Sequence, residues 1–402
     1  MLVKVLRLNN EGEGIASIEG KLCFIKGALP NEEVDIDILE DKGNYYIGKL
    51  NNVITSSLDR VIPKCPYYDK CGGCFLMHLS YNKQLEFKQE KVKGIFKKIC
   101  DIDINPNIYS FNEFNYRNKV TLKVNNNELG YYEEKSHSIV DIDTCLLLDN
   151  SINEVITKLR SFIQNKNHNV SEIMIRSISN EIMISFDNMN SIYKEELLNT
   201  FPTCSIYIKD ECVSGKKSLI ETIEGYKFYV SPNSFFQVNS LTFKELYKHV
   251  ISNLNGNGNA LDLYSGTGTI SILMSKHFDK VYGVEVSHSS IGDANKNLEL
   301  NNISNVSFIE GKVEDKIDEL KELDIDTIIM DPPRSGSDNK SLKSIMEINP
   351  RSIIYISCNP VTLARDINIL KDKYNIKSID LFDMFPQTSH VETVMILEKK
   401  DV

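Results

Sequence analysis

Between residues 231 and 402, short apolar runs return at even intervals, at 260–263, 281–286, 306–309, 327–330 and 353–357, with helix-like stretches between them. The runs are mostly apolar rather than alternating, and each is too short for a buried helix, so each reads as a strand covered on both faces. Strands of that kind separated by helices build a parallel sheet wound with helices on either side. Residues 231–402 are therefore expected to form a Rossmann-like α/β domain, entered by a helix over 240–254 and a polar link at 255–259. Two more strands, 378–382 and 391–397, follow the fifth, joined by residues 384–390. If the last turns back antiparallel beside the fifth, Glu392 at its start comes to the edge where the fifth strand ends.

Open α/β sheets bind ligands at the carboxyl ends of their strands. The run Asp262-Leu263-Tyr264-Ser265-Gly266-Thr267-Gly268-Thr269 carries a strand into a glycine turn and a helix, a cradle for an adenine nucleotide. Ser271 stands where a dinucleotide fingerprint wants its third glycine. Glu285 ends the next strand 17 residues after Gly268, where a carboxylate can accept both ribose hydroxyls. Together these features favour S-adenosylmethionine over NAD. After the fourth strand, Asp331-Pro332-Pro333-Arg334 makes a rigid extended loop. Adenine N-methyltransferases usually have an aromatic residue after the prolines, so Arg334 implies a different acceptor atom.

The fifth strand delivers Cys358, followed by Asn359 as a helix cap, Pro360 in the first turn, and Leu363, Ile367 and Leu370 at helical spacing. A thiol at a helix N-terminus lies near the positive end of the macrodipole, so its thiolate is expected to be favoured. An isolated cysteine is ordinarily a small core residue. Its company here, Asp331 and Glu392, gives it a chemical use. Carbon 5 of uracil is a weak nucleophile until a thiolate adds to carbon 6; the resulting enolate can attack a sulfonium methyl group, and a base must then remove the carbon 5 proton so that the thiol can leave. Cys358 is assigned the first task and Glu392 the second, with His390 as a rival base.

Residues 1–60 carry short strand-like runs punctuated by glycines, with Val34, Ile36 and Ile38 alternating with Asp35 and Asp37. They read as a small OB-type β-barrel or a plain β-sheet appendage. Through Arg60 this segment holds seven basic and ten acidic residues, a poor composition for gripping phosphate. Residues 61–230 read as an α+β domain, with strands at 120–124, 173–175, 182–186 and 205–208 and a turn at Asn125, Asn126 and Asn127. Cys65, Cys71 and Cys74 form a C-x5-C-x2-C cluster with Gly72 and Gly73 allowing a tight turn. With nine cysteines and no apolar leader, metal or catalysis is preferred to a disulfide framework. All-thiolate ligation suits an iron-sulfur cluster or structural zinc, and spacing does not choose between them. Cys145 is the nearest fourth ligand, Cys100 competes from a helix end, and His78 competes only for zinc. From 81 to 99, Leu85, Val92, Ile95, Phe96 and Ile99 make one helical face, while Lys83, Lys88, Lys91, Lys93, Lys97 and Lys98 populate a solvated or RNA-facing remainder.

The net charge of −10 argues against a nucleic-acid partner, yet residues 64–123 hold eleven basic and six acidic residues, a local excess of five. No window of about 18 uninterrupted apolar residues exists, so a cytoplasmic monomer without membrane contact is expected.

With these residues in view, the chain resembles the bacterial RNA uracil-5-methyltransferases, most closely the 23S ribosomal RNA branch, almost end to end. Residues 12–63 look like that family's TRAM domain. Cys65, Cys71, Cys74 and Cys145 match its ligands for a [4Fe-4S] cluster, and Tyr116-Arg117-Asn118-Lys119 looks like a motif of its central domain. Phe235-Phe236-Gln237-Val238-Asn239 is similar to the motif that opens its methyltransferase domain. The resemblance implies that Gln237, Tyr264, Glu285 and Asp331 bind S-adenosylmethionine, with Gly266 in the turn and Thr269 at a further contact, that Cys358 is the nucleophile and that Glu392 is the proton acceptor. Lys312 stands where related enzymes often carry an acidic residue near the adenine. TRAM domain and cluster together imply ribosomal RNA as the partner, although some archaeal transfer RNA enzymes share the architecture. The competing expectations are a DNA cytosine-5 methyltransferase, whose nucleophile usually sits in a Pro-Cys turn, and a non-catalytic RNA-binding assembly factor.

Overall fold

The computed structural model describes residues 1–134, 136–164 and 166–401. Six N-terminal strands form one sheet, with Leu2–Lys4 at one edge and Arg7–Leu8 at the other. Two residues separate those edge strands, so a single stretch of chain pairs with both edges and closes the sheet on itself. Val5, Ala16, Cys23, Ile25, Val34 and Ile36 fill the interior. A seven-stranded sheet follows in the middle of the chain, running from Ile139–Asp141 to Glu211–Ser214. Helix Asn150–Ile163 covers it through Ile152, Val155, Ile156, Leu159, Phe162 and Ile163.

The C-terminal sheet has eight strands in the order Val306–Glu310, Lys280–Glu285, Asn259–Leu263, Ile325–Met330, Ser352–Ser357, Glu392–Lys399, Tyr374–Phe382 and Asn107–Tyr109. The first five are parallel, as the continuous apolar runs require. The last strand runs antiparallel between the fifth and Tyr374–Phe382.

The chain crosses the expected cut near 230. Strand Asn107–Tyr109 pairs in parallel with residues 380–382 of the C-terminal sheet. Helix Tyr81–Cys100 buries Val92, Ile95, Phe96 and Cys100 in the same core as Tyr355, Leu363, Ile367 and Leu370. The hairpin Leu219–Ile223/Tyr226–Val230 joins the core on the sheet's other side. The expectation of a solvated lysine face on that helix is corrected at Lys88. This side chain is fully buried, with its ammonium 2.5 Å from the equally buried Asp383 carboxylate. Its partner lies far ahead in sequence, so helical periodicity could not reveal it.

Candidate active site

Strand Asn259–Leu263 ends in a turn whose backbone enters the left-handed region three times, at Tyr264 (φ +66), Gly266 (φ +54) and Gly268 (φ +77). Gly268 cannot be replaced without movement, because a Cβ there would lie 2.5 Å from the Phe308 ring. Glu285 ties the turn to the neighbouring strand by accepting from Gly266 N at 3.0 Å with one oxygen and from Ser287 N at 2.8 Å with the other. The Tyr264 hydroxyl lies 3.1 Å from Ser337 Oγ, and the Ser337 amide donates to Asp366 at 2.9 Å. The loop at 331–337 is thereby fixed against helix Pro360–Leu370, whose cap Asn359 also donates to the Arg334 carbonyl at 2.9 Å.

Above this turn lies a cavity of about 500 Å³, lined by Gln237, Tyr264, Gly266, Thr269, Glu285 and Asp331 among others. All six residues expected to hold a nucleotide cofactor therefore border one space, of the size usual for small-molecule sites. Phe235, Asp262 and Lys312 also line it. Phe235 is three-quarters exposed at 75%. Asp262, beneath the turn, was passed over as a strand residue. Its burial was the missing signal: desolvation pushes its carboxyl to about 7, against the bond from Ser271 and with Asp331 raising it further.

Cys358 and Glu392 meet beside the cavity. The ladder between the fifth and last strands pairs Ser357 with Thr393, and the next residues on the two chains are Cys358 and Glu392. Glu392 is 7% exposed. Burial raises its carboxyl to about 8, with the Asp331 charge adding to the rise and Arg334 opposing it. Asp331 is itself pushed up to about 7 by desolvation. The expected depression of the Cys358 thiol is overturned. Burial raises it above the ordinary value, the Glu392 and Asp331 charges add to the rise, and only Arg334, by charge and hydrogen bond, acts against them. The helix terminus and both carboxylates are legible in the sequence; the burial that raises the thiol against the helix end is not. Arg334, read only as a departure from another family's motif, is the cation of the site. His390 lies two residues before Glu392; burial lowers its pKa first, and Arg334 and Lys91 lower it further.

A second cavity lies in the central domain and is lined by Cys65, Cys71, Cys74 and Cys145 with Tyr67, Tyr68, Tyr131 and Leu147. All four thiols are free. Cys100 is elsewhere, buried with its thiol donating to the Ala364 carbonyl at 2.9 Å. His78 is held by the Tyr68 hydroxyl at 2.6 Å and does not line the cavity. Among the described residues no group of three or more His, Cys, Asp and Glu is gathered closely enough to hold a metal ion.

The sequence model of the tRNA (Uracil-5-)-methyltransferase family matches residues 80–400, and that of the TRAM domain matches residues 1–50. The chain belongs to the tRNA (uracil-5-)-methyltransferase family. Its relatives include an uncharacterized RNA methyltransferase of Staphylococcus aureus, 35% identical over 98% of this chain and 97% of that one. Another, from Clostridium acetobutylicum, is 37% identical over 98% and 95% of the two chains. Among solved structures, the Pyrococcus abyssi tRNA (uracil-54, C5)-methyltransferase in complex with S-adenosyl-L-homocysteine superposes with a TM-score of 0.80 at 28% identity, covering 99% of this chain and all of that one. Family membership thus spans the barrel, the central sheet and the cavity-bearing domain alike. No helix among the described residues is long and apolar enough to cross a membrane.

Proposed function

We propose that the protein transfers a methyl group from S-adenosylmethionine to carbon 5 of a uridine in RNA, with 23S ribosomal RNA as the substrate. The observation that carries this reading is the meeting of Cys358 and Glu392 at the ends of adjacent antiparallel strands, with Asp331 acting on both. Gln237, Tyr264, Gly266, Thr269, Glu285 and Asp331 would hold the donor, whose sulfonium supplies an electrophilic methyl group. Each oxygen of Glu285 already accepts one backbone amide, which leaves lone pairs for ribose hydroxyls.

The uridine must leave its stack to reach Cys358. The Cys358 sulfur adds to carbon 6, and carbon 5 then takes the methyl group. Glu392 removes the carbon 5 proton; that C–H pair forms the carbon 5–carbon 6 double bond, and the C–S bond breaks back to the thiolate. A carboxyl raised to about 8 is a strong base once ionised, which suits it to a carbon-bound proton.

Cys65, Cys71, Cys74 and Cys145 are proposed to hold a [4Fe-4S] cluster. Four free thiols around one cavity walled by Tyr67, Tyr68, Tyr131 and Leu147 make a soft, water-poor donor set that suits iron and sulfide. Uracil methylation has no electron-transfer step, so the group would act as a brace for the central domain.

Transfer RNA is a second reading, favoured by the full-length likeness to the Pyrococcus abyssi enzyme. The test is mass-spectrometric mapping of 5-methyluridine in ribosomal and transfer RNA from cells with and without the protein. A site lost from 23S RNA supports the first reading and a site lost from transfer RNA the second. RNA binding with no methyl transfer to any unmodified transcript would replace both with a non-catalytic assembly factor.

A further inference from the structure

The link between the last two strands, residues 383–391, delivers Glu392, and it is held almost entirely by groups from outside its own sheet. Helix Tyr81–Cys100 lays one stripe along it. The Tyr81 hydroxyl and the Lys88 ammonium both donate to the Asp383 carboxylate, at 2.8 and 2.5 Å. Lys88 also reaches the Phe385 carbonyl at 3.2 Å, and Lys91 donates to the Ser389 carbonyl at 3.0 Å. Between them, Gln84 and Gln387 exchange two amide bonds: Gln84 Nε2 donates to Gln387 Oε1 at 3.0 Å, and the Gln387 backbone N–H donates to Gln84 Oε1 at 3.1 Å. Residues 81, 84, 88 and 91 recur at helical spacing, so a single face makes every one of these contacts.

Other parts of the chain close on the same link. The Phe75 and Leu76 amides, directly after Cys74, both donate to the Gln387 carbonyl at 3.0 Å. Tyr116 donates to the Pro386 carbonyl at 3.0 Å and Asn239 to the Met384 carbonyl at 3.1 Å. Gln387 takes a left-handed backbone (φ +69) that a glutamine adopts only under such constraint. A buried lysine–aspartate pair is a poor source of net stability, so its value here lies in fixing geometry.

We propose that Gln84 and Tyr81 are positioning residues for Glu392: through Gln387 and Asp383 they set the carboxylate against the carbon 5 proton and so govern release of the methylated uridine rather than attack on it. This rests on the uracil-methylation reading above. Cys358 ends a different strand, and the hydrogen bonds of residues 81, 84, 88 and 91 described above run to the link, so loosening the link leaves addition intact. Release, in which Glu392 takes the proton, the ring double bond re-forms and the C–S bond returns to Cys358, is the step that suffers. A displacement of about 1 Å in a reacting group lowers the affected rate by up to about a hundredfold.

The experiment is single-turnover methylation of an unmodified RNA transcript by the full chain, following methyl incorporation and the denaturation-stable protein–RNA adduct separately, in Gln84→Leu, Tyr81→Phe and Glu392→Gln. For Gln84→Leu, methyl incorporation within about threefold of the parent and adduct decay slowed at least about tenfold are expected. Tyr81→Phe, which removes one oxygen at the rim of the link, is expected to show the same split in weaker form and serves if Gln84→Leu does not fold. Equal slowing of incorporation and decay, or no slowing of either in a folded variant, overturns the proposal. Glu392→Gln separates the two levels: a long-lived methylated adduct there keeps the uracil reading whatever the stripe variants do, whereas rapid release there would transfer the base role to another group and overturn the positioning proposal alone.

Discussion

The sheet edge and the cysteine cavity both crowd ionisable groups, yet they are built differently. At the edge, Asp331, Cys358 and Glu392 each sit one residue past, or at the end of, a ladder of main-chain bonds, and their spacing is fixed by strand pairing. In the cavity, Cys65, Cys71 and Cys74 lie on a loop held by turn bonds, such as Cys71 N to the Tyr67 carbonyl at 2.8 Å, and by one isolated bridge between Cys71 and Glu133. Cys145 comes from another loop, anchored by its amide to Asn153 at 2.9 Å. The edge carries its geometry in the sheet, whereas the four thiols are placed by loop contacts drawn from several parts of the chain. Burial raises the carboxyls of Asp331, Glu392 and the neighbouring Asp262, and the Asp331 charge raises the other two further.

The sharpest break of that contrast is chemical. Cys358→Ala is expected to abolish both methyl transfer and the covalent adduct, a loss of at least about 10⁴-fold read in single-turnover assays. Glu392→Gln should retain the adduct while turnover falls about 10²- to 10⁴-fold; rapid release in that variant would transfer the base role to another group. On the cavity side, Cys74→Ser is expected to lose bound iron and to lower Tm and RNA affinity, while S-adenosylmethionine affinity stays within about twofold. Unchanged Tm in the iron-free variant would remove the proposed brace.

Smaller effects probe the edge's charge. Glu392 binds its proton more tightly folded, near 8, than unfolded, near 4.5. Its contribution to stability is therefore present below about pH 4.5 and is lost as pH rises through 8. Glu392→Gln should accordingly be more stable than the parent at pH 8, by on the order of 3 kcal/mol, and little different at pH 4.5. Denaturant unfolding at the two values checks the sign, and a constant difference would refute it. A cationic donor placed beside Asp331 and Glu392 should lower both carboxyls, so S-adenosylmethionine binding at pH 7.5 is expected to release protons and S-adenosylhomocysteine fewer. Calorimetry in buffers of different ionisation enthalpy measures the release, and equal values for the two ligands would argue against that placement.

How far these regions were legible in the sequence follows the same divide. The five parallel strands lie within about two residues of the apolar runs, because strands buried on both faces leave an unbroken local signal. The N-terminal strands were legible from short runs and glycine corners, but not that they close on themselves, which depends on Leu2–Lys4 and Arg7–Leu8 pairing at opposite edges. Lys88 and strand Asn107–Tyr109 were not, since each is explained only by residues nearly 300 positions away. The raised Cys358 thiol escaped because the sequence, which brings Asp331 and Glu392 to the same edge, does not show the burial that raises it.

Those long separations also bear on how the chain is made. Helix Tyr81–Cys100 leaves the ribosome 295 residues before Asp383, the partner of its buried lysine. At about 5–20 residues per second, that interval is roughly 15–60 s. For most of it, Val92, Ile95 and Phe96 lack Tyr355, Leu363, Ile367 and Leu370, with which they share a core in the folded chain. A helix carrying lysines at 83, 88, 91, 93, 97 and 98 is suited to that wait, because its charge keeps the nascent apolar stripe soluble until helix Pro360–Leu370 arrives.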